Sequence, residues 1–124
     1  MGVDIESAGD VVFIRIDSPI EPRDGVEWAD EVARVAGASG GRVHVVAELV
    51  PTVSIPLAVF LAACRKAVDL GQTIASLAFV VHGPAERSLT RAAAAVIAPL
   101  YPVAYFDDIG SARAWVAGRA ATAS

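Results

Sequence analysis

The stretch Ile74-Ala75-Ser76-Leu77-Ala78-Phe79-Val80-Val81-His82-Gly83-Pro84 decides the architecture. From Ile74 to Val81 only Ser76 interrupts an apolar run, which then stops at a turn. A strand wet on one face would alternate polar and apolar residues. A run this continuous fits a strand covered on both faces, as in a parallel sheet, and it is expected to lie at the centre. Val43–Ala47 has the same character and is expected to be a second buried strand.

Reading outward from this strand places the remaining elements. Ala85–Ala98 is expected to be a helix with Leu89, Ala92, Ala93, Val96 and Ile97 inward and Arg91 toward water. Pro99 and Pro102 bracket its end. Val103–Phe106 follows as a short strand, and Asp107 or Asp108 caps a last helix running through Val116. In the other direction, Leu57–Leu70 is a helix with Leu57, Leu61, Cys64 and Val68 on one stripe and Phe60, Ala63 and Ala67 on another. An earlier helix carries Val26, Ala29, Val32, Ala33 and Ala36 inward. Asp24 and Glu27 have the spacing of its capping box, and Gly37 and then Gly40-Gly41 end it. Val3–Ser7 and Val11–Ile16, joined at Ala8-Gly9-Asp10, read as a hairpin with Arg15 on its open face. The order β-β-α-β-α-β-α-β-α predicts one α/β domain over residues 1–117, a mostly parallel mixed sheet with an N-terminal hairpin. Residues 118–124 are expected to form a disordered tail.

Composition narrows the function. The chain has 124 residues, 55% of them hydrophobic and 19% charged, with ten basic and fourteen acidic side chains for a net charge of −4. Such a balance speaks against nucleic-acid binding, which needs a basic face. Cys64 is the single cysteine, so neither an internal disulfide nor a cysteine-based zinc site is expected. Met1–Glu6 has acid where a secretion signal needs base. The longest uncharged stretch, Leu49–Cys64, is broken by Pro51 and Pro56 and shorter than a membrane span. The expectation is a cytoplasmic protein without a transmembrane segment. Nine of the ten basic residues are arginine and alanine abounds, a bacterial-looking composition.

Three segments carry a resemblance. Leu77-Ala78-Phe79-Val80-Val81-His82-Gly83, Val103-Ala104-Tyr105-Phe106-Asp107 and Ser111-Ala112-Arg113-Ala114-Trp115-Val116 look like the C-terminal half of the SpoIIAA-like subgroup of STAS domains. The element order is similar to that of the same superfamily. The resemblance implies a non-catalytic regulatory module that acts through a partner protein or by self-association as a homodimer. It also puts Ser54 at the position of the serine phosphorylated in STAS switches. Val53 stands where those switches have an acid, and Pro56 where they have glycine.

Every polar candidate has a plainer role beside the functional one. Ser54 reads first as a helix N-cap and second as a phosphorylation site, where the helix dipole would favour the added charge. Glu48, His82, Asp107 and Asp108 fall at the carboxyl ends of strands, where α/β sheets collect ligands, and form a candidate rim for a ligand or partner. Consecutive acids before a helix are more often a cap, and the plainer reading of His82 is a polar exit from the core. Ser54, His82 and Asp107 do not amount to a catalytic triad, since no nucleophile elbow is present; neither enzyme activity, nor a cofactor, nor a bound metal is expected. His44 is expected to be hydrogen-bonded within the core or at its edge.

Trp28 lies one position off the inward stripe of its helix, in line with Val32 and Val35. It reads equally as core at the helix margin or, with Val53, Ile55, Val59 and Phe60, as a candidate interaction surface. An apolar small molecule such as a lipid, held between alanine-rich helices and the sheet, is the alternative; catalysis by the strand-end residues is a distant third. Replacing Ser54 with Ala is expected to cost about 1 kcal/mol in a denaturant titration if the serine is only a cap. Lost partner binding at unchanged stability would mark a switch instead.

Overall fold

The computed structural model describes residues 3–16, 22–39, 41–49, 73–83 and 100–123, with residues 65, 68, 69, 88, 91, 92 and 95. Its elements are β1 (Val3–Ala8), β2 (Val11–Ile16), α1 (Pro22–Ser39), β3 (Val43–Leu49), β4 (Ile74–Val81), β5 (Val103–Phe106) and α2 (Ile109–Ala123). The strands form one sheet in the order β1-β2-β3-β4-β5. β1 and β2 pair antiparallel, and every later pair is parallel. The chain is therefore the mixed, mostly parallel α/β sheet with an N-terminal hairpin that its sequence predicts.

The hairpin loop is two residues long, Gly9-Asp10, between the paired Ala8 and Val11. Gly9 has φ of 61°, which fits the first central position of a type II′ turn and suits glycine alone. β4 is not the middle strand: β3 is, and β4 lies one place nearer the edge. Both strands are covered on both faces, so a continuous apolar run reports burial without reporting rank in the sheet.

Alternation along these strands sends side chains into two cores. Val12, Ile14, Val45, Ala47, Leu49, Leu77, Phe79 and Val81 pack on one face with Val32 and Val35 of α1. Val46, Ala78 and Val80 pack on the other with Ala112 and Val116 of α2, bordered by Val11, Phe13, Phe106 and Trp115. Full burial of one such valine contributes about 1.5–3 kcal/mol relative to exposure, so β3 and β4 anchor the domain.

Helix limits depart from the sequence expectation in three places. α1 starts at Pro22, so Asp24 falls inside the first turn and is not the cap; proline suits that turn because it has no N–H to leave unpaired. The same helix runs past Gly37 to Ser39, next to the Gly40-Gly41 pair also expected to end it, and closes with a bond from the Gly41 N–H to the Ala36 carbonyl at 3.3 Å. α2 likewise continues past Gly118 to Ala123, where a disordered tail from 118 was expected. Nothing lies within 4 Å of a Cβ built on Gly37 or Gly118. Such exposed glycines weaken a helix by ~1 kcal/mol relative to alanine without ending it, and alanines follow both.

Of the two expected middle helices, residues 65, 68 and 69 and residues 88, 91, 92 and 95 are helical; the rest lie outside the described residues. Val68 packs on the first core. Ala92 is exposed rather than inward. One methyl group carries too little apolar area to set which way a helix turns.

At the amino ends of the parallel strands sits a buried polar cluster. His44 and Ser76 are in register on β3 and β4, and His44 Nδ1 shares a 2.6 Å hydrogen bond with the Ser76 hydroxyl. The His44 N–H donates to the Asp10 carbonyl at 2.9 Å, and Nε2 lies 3.9 Å from the Asp10 carboxylate. Burial holds the His44 pKa below its ordinary 6.5; Asp10 acts against this, while Arg119 and Arg42 reinforce it. As pH falls below 6.5 the unfolded chain takes up the proton before the folded one, so this contribution to stability is complete above that value and is lost below it. Thermal melts from neutral to mildly acidic pH are expected to show falling stability, and His44→Gln is expected to flatten that slope. An unchanged slope in the variant would assign the dependence to other groups.

Candidate functional site

The carboxyl ends of the parallel strands gather part of the predicted rim. Arg15, Glu48 and Val80 stand in register on β2, β3 and β4, with their side chains on the α2 face of the sheet. His82 follows β4 by one residue. Glu48 divides its carboxylate between two neighbours. His82 Nε2 lies 3.2 Å from Oε2, and Arg15 Nε lies 3.8 Å from Oε1. Carboxylate oxygens only accept, so the ring nitrogen donates. The Glu48 and His82 side chains are 23% and 30% exposed, and Arg15 is 58% exposed. Ion pairs this open contribute ~0–1 kcal/mol. Their consequence is geometric, since they hold a cation, a carboxylate and an imidazole in a fixed row at the surface.

Arg15 belongs to this row although the sequence reading gave it only an open-face position. Its signal was the parallel pairing of β2 with β3, which sets Arg15 beside Glu48.

Asp108 has other partners, and β5, after which it comes, is two strands away from β3 and Glu48. Asp108 caps α2: Oδ1 accepts the Ser111 N–H at 2.7 Å, and Oδ2 accepts the Ser111 hydroxyl at 2.9 Å. These bonds, the backbone one first, hold its carboxyl below the ordinary 3.8. A Cβ on Gly110 would stand 3.2 Å from Asp108 Oδ1, so glycine keeps the cap uncrowded. Beside the cap is an open cleft of about 420 Å³ lined by Arg91, Tyr105, Phe106, Asp107, Asp108 and Ser111. Burial raises the Tyr105 phenol and Arg91 opposes it.

A serine, a histidine and an aspartate do meet, but at the opposite end of the sheet. There Ser76 is fully buried and His44 nearly so, leaving the hydroxyl closed to any substrate. Among the described residues no three His, Cys, Asp or Glu side chains are grouped to hold a metal ion. Nor is any described helix long and apolar enough to cross a membrane. Trp28 packs half-buried against the first core. Ser54, Val53, Ile55, Val59, Phe60 and Cys64 lie outside the described residues.

No protein-family model matches the chain, and no curated protein matches it. Among solved structures it is similar to an uncharacterised protein of the DUF3478 family from Shewanella loihica PV-4, which has a SpoIIAA-like fold. The likeness covers 92% of this chain and 91% of that one, with a TM-score of 0.65 and 15% sequence identity. This chain has a SpoIIAA-like fold. The structural likeness agrees with the resemblance read from Leu77–Gly83, Val103–Asp107 and Ser111–Val116. In this SpoIIAA-like domain those segments are β4 with its exit, β5 with its exit, and the first half of α2. They are chiefly packing positions, which is why they speak for fold.

Asp108→Ala is expected to lower the thermal midpoint by a few degrees and to open the first turn of α2 to hydrogen exchange. Because the folded carboxyl is depressed, the cap's contribution is present above the ordinary 3.8 and fades as pH falls through the lower folded value. Melts of both proteins should therefore converge in strong acid.

Proposed function

We propose that this chain is a non-catalytic protein-interaction module of STAS type, and that the rim Arg15–Glu48–His82 is part of its binding surface. The single observation that carries the reading is the shared Glu48 carboxylate. It fixes two donors of different chemistry at the carboxyl ends of the strands, where α/β folds bind. A row of this kind recognises hydrogen-bonding groups on another molecule. The SpoIIAA-like fold supports the same reading at the level of architecture alone. The acidic net charge of −4 favours a protein partner over nucleic acid.

Native mass spectrometry of the full chain isolated from its own cells tests this. The expected result is a complex with a second protein that is lost in Glu48→Gln and His82→Ala, while the thermal midpoint of each variant stays close to that of the parent. Persistence of the complex in both variants would remove the rim from the binding surface. A small-molecule mass that leaves on denaturation, with no protein partner, would replace this reading with that of an apolar carrier. A chain that comes through as a homodimer sensitive to both substitutions would make the partner a second copy.

A further inference from the structure

β1 is an edge of the sheet, and no described strand pairs with its outer side. An open edge presents free N–H and C=O groups at alternate residues, a template on which another strand can add. The side chains along β1 indicate which strand it would take. On the α2 face, Glu48, Arg15 and Asp4 stand in register on β3, β2 and β1. Their charges alternate, negative, positive, negative, and the row stops at the open edge with Asp4 exposed.

Arg15 makes its ion pair with Glu48, and neither Asp4 nor Glu6 has an ion pair among the described residues. Residues opposite one another on adjacent strands sit ~5 Å apart, so the next place outward from Asp4 favours a cation. Glu6 repeats the demand two residues along on the same face. Its inner neighbour Phe13 already carries the Arg113 guanidinium over its ring at 4.6 Å.

Self-pairing runs against this pattern. A two-fold antiparallel pairing of two β1 strands sets Asp4 against Asp4 or Glu6, or Glu6 against Glu6, and like charges directly opposite are destabilising. A basic strand meets no such penalty.

We propose that the outer edge of β1 takes up an extended basic segment of a partner protein as a sixth strand, with Lys or Arg side chains set against Asp4 and Glu6. The proposal rests on the interaction reading above and adds the chemistry of the partner.

The test uses the full chain and three short synthetic peptides: one alternating Lys with Val, one of equal charge interrupted by Pro, and one with Glu for Lys. Binding is read by fluorescence anisotropy at low salt, and its location by hydrogen exchange. The Lys–Val peptide is expected to protect the β1 amides and to bind about tenfold more tightly than either control. The double substitution Asp4→Lys with Glu6→Lys is expected to reverse the preference toward the Glu peptide. Glu6→Lys alone, on the exposed face, serves if the double variant does not fold, and is expected to weaken the Lys–Val peptide.

Equal binding of the Pro-interrupted peptide would reduce the effect to bulk charge and overturn the proposal. So would protection elsewhere than β1, an unaltered preference in the variants, or no binding by the Lys–Val peptide. A rim-dependent complex in native mass spectrometry would then leave the interaction reading standing without β1. Loss of that complex with the peptide still bound at β1 would do the converse.

Discussion

Burial of β3 and β4 on both faces is the constraint from which the rest of the molecule follows. Nearly every side chain on these strands is enclosed between α1 and its neighbours on one face and α2 on the other. A polar group within such strands must either find a partner inside or move to a strand end. His44 and Ser76 take the first course and satisfy each other near the amino ends of β3 and β4. Glu48 and His82 take the second and meet at the carboxyl ends. One rule thus yields a closed polar pair at one end and an open one at the other.

Much of the architecture was legible because it depends on periodicity. The continuous run of Ile74–Val81, the β-branched Val43–Ala47 and the alternating hairpin place four of the five strands, the short Val103–Phe106 is the fifth, and a parallel sheet follows from the elements between them. What the pattern could not convey was rank within the sheet, since β3 and β4 are equally enclosed. Helix ends were less legible. At Gly37 and Gly118 the sequence shows a residue that often stops helices, but an exposed glycine with open space around it only weakens one. Asp24 has the spacing of a cap, yet Pro22 already stands in the first turn.

The candidate site was legible in pieces. Position at a strand end is a one-dimensional property, so Glu48, His82, Asp107 and Asp108 could be named together. The separation of Glu48 in the rim from Asp108 in the cap is two-dimensional, because it depends on β5 lying two strands from β3. Arg15 shows the converse. Its neighbours Phe13, Ile14 and Ile16 mark it only as an outward residue, and it gains meaning when β2 pairs parallel with β3 and brings it to Glu48. Cross-strand neighbours are far apart in the chain and invisible to any local window.

The same register argument reaches past the edge of the molecule. Glu48, Arg15 and Asp4 are separated by 33 and 11 positions in sequence, yet they form one row because β1 pairs antiparallel and β3 parallel with the same strand. A lone acid on an edge strand is ordinarily read as a guard against unwanted pairing. That reading covers self-association well, since two copies of β1 would oppose acid with acid. It does not extend to a basic strand, for which Asp4 and Glu6 supply attraction at two positions with the spacing of a strand face. A guard built from one sign of charge is also a selector for the other, and the exposed end of this row makes that selection a property of the edge itself.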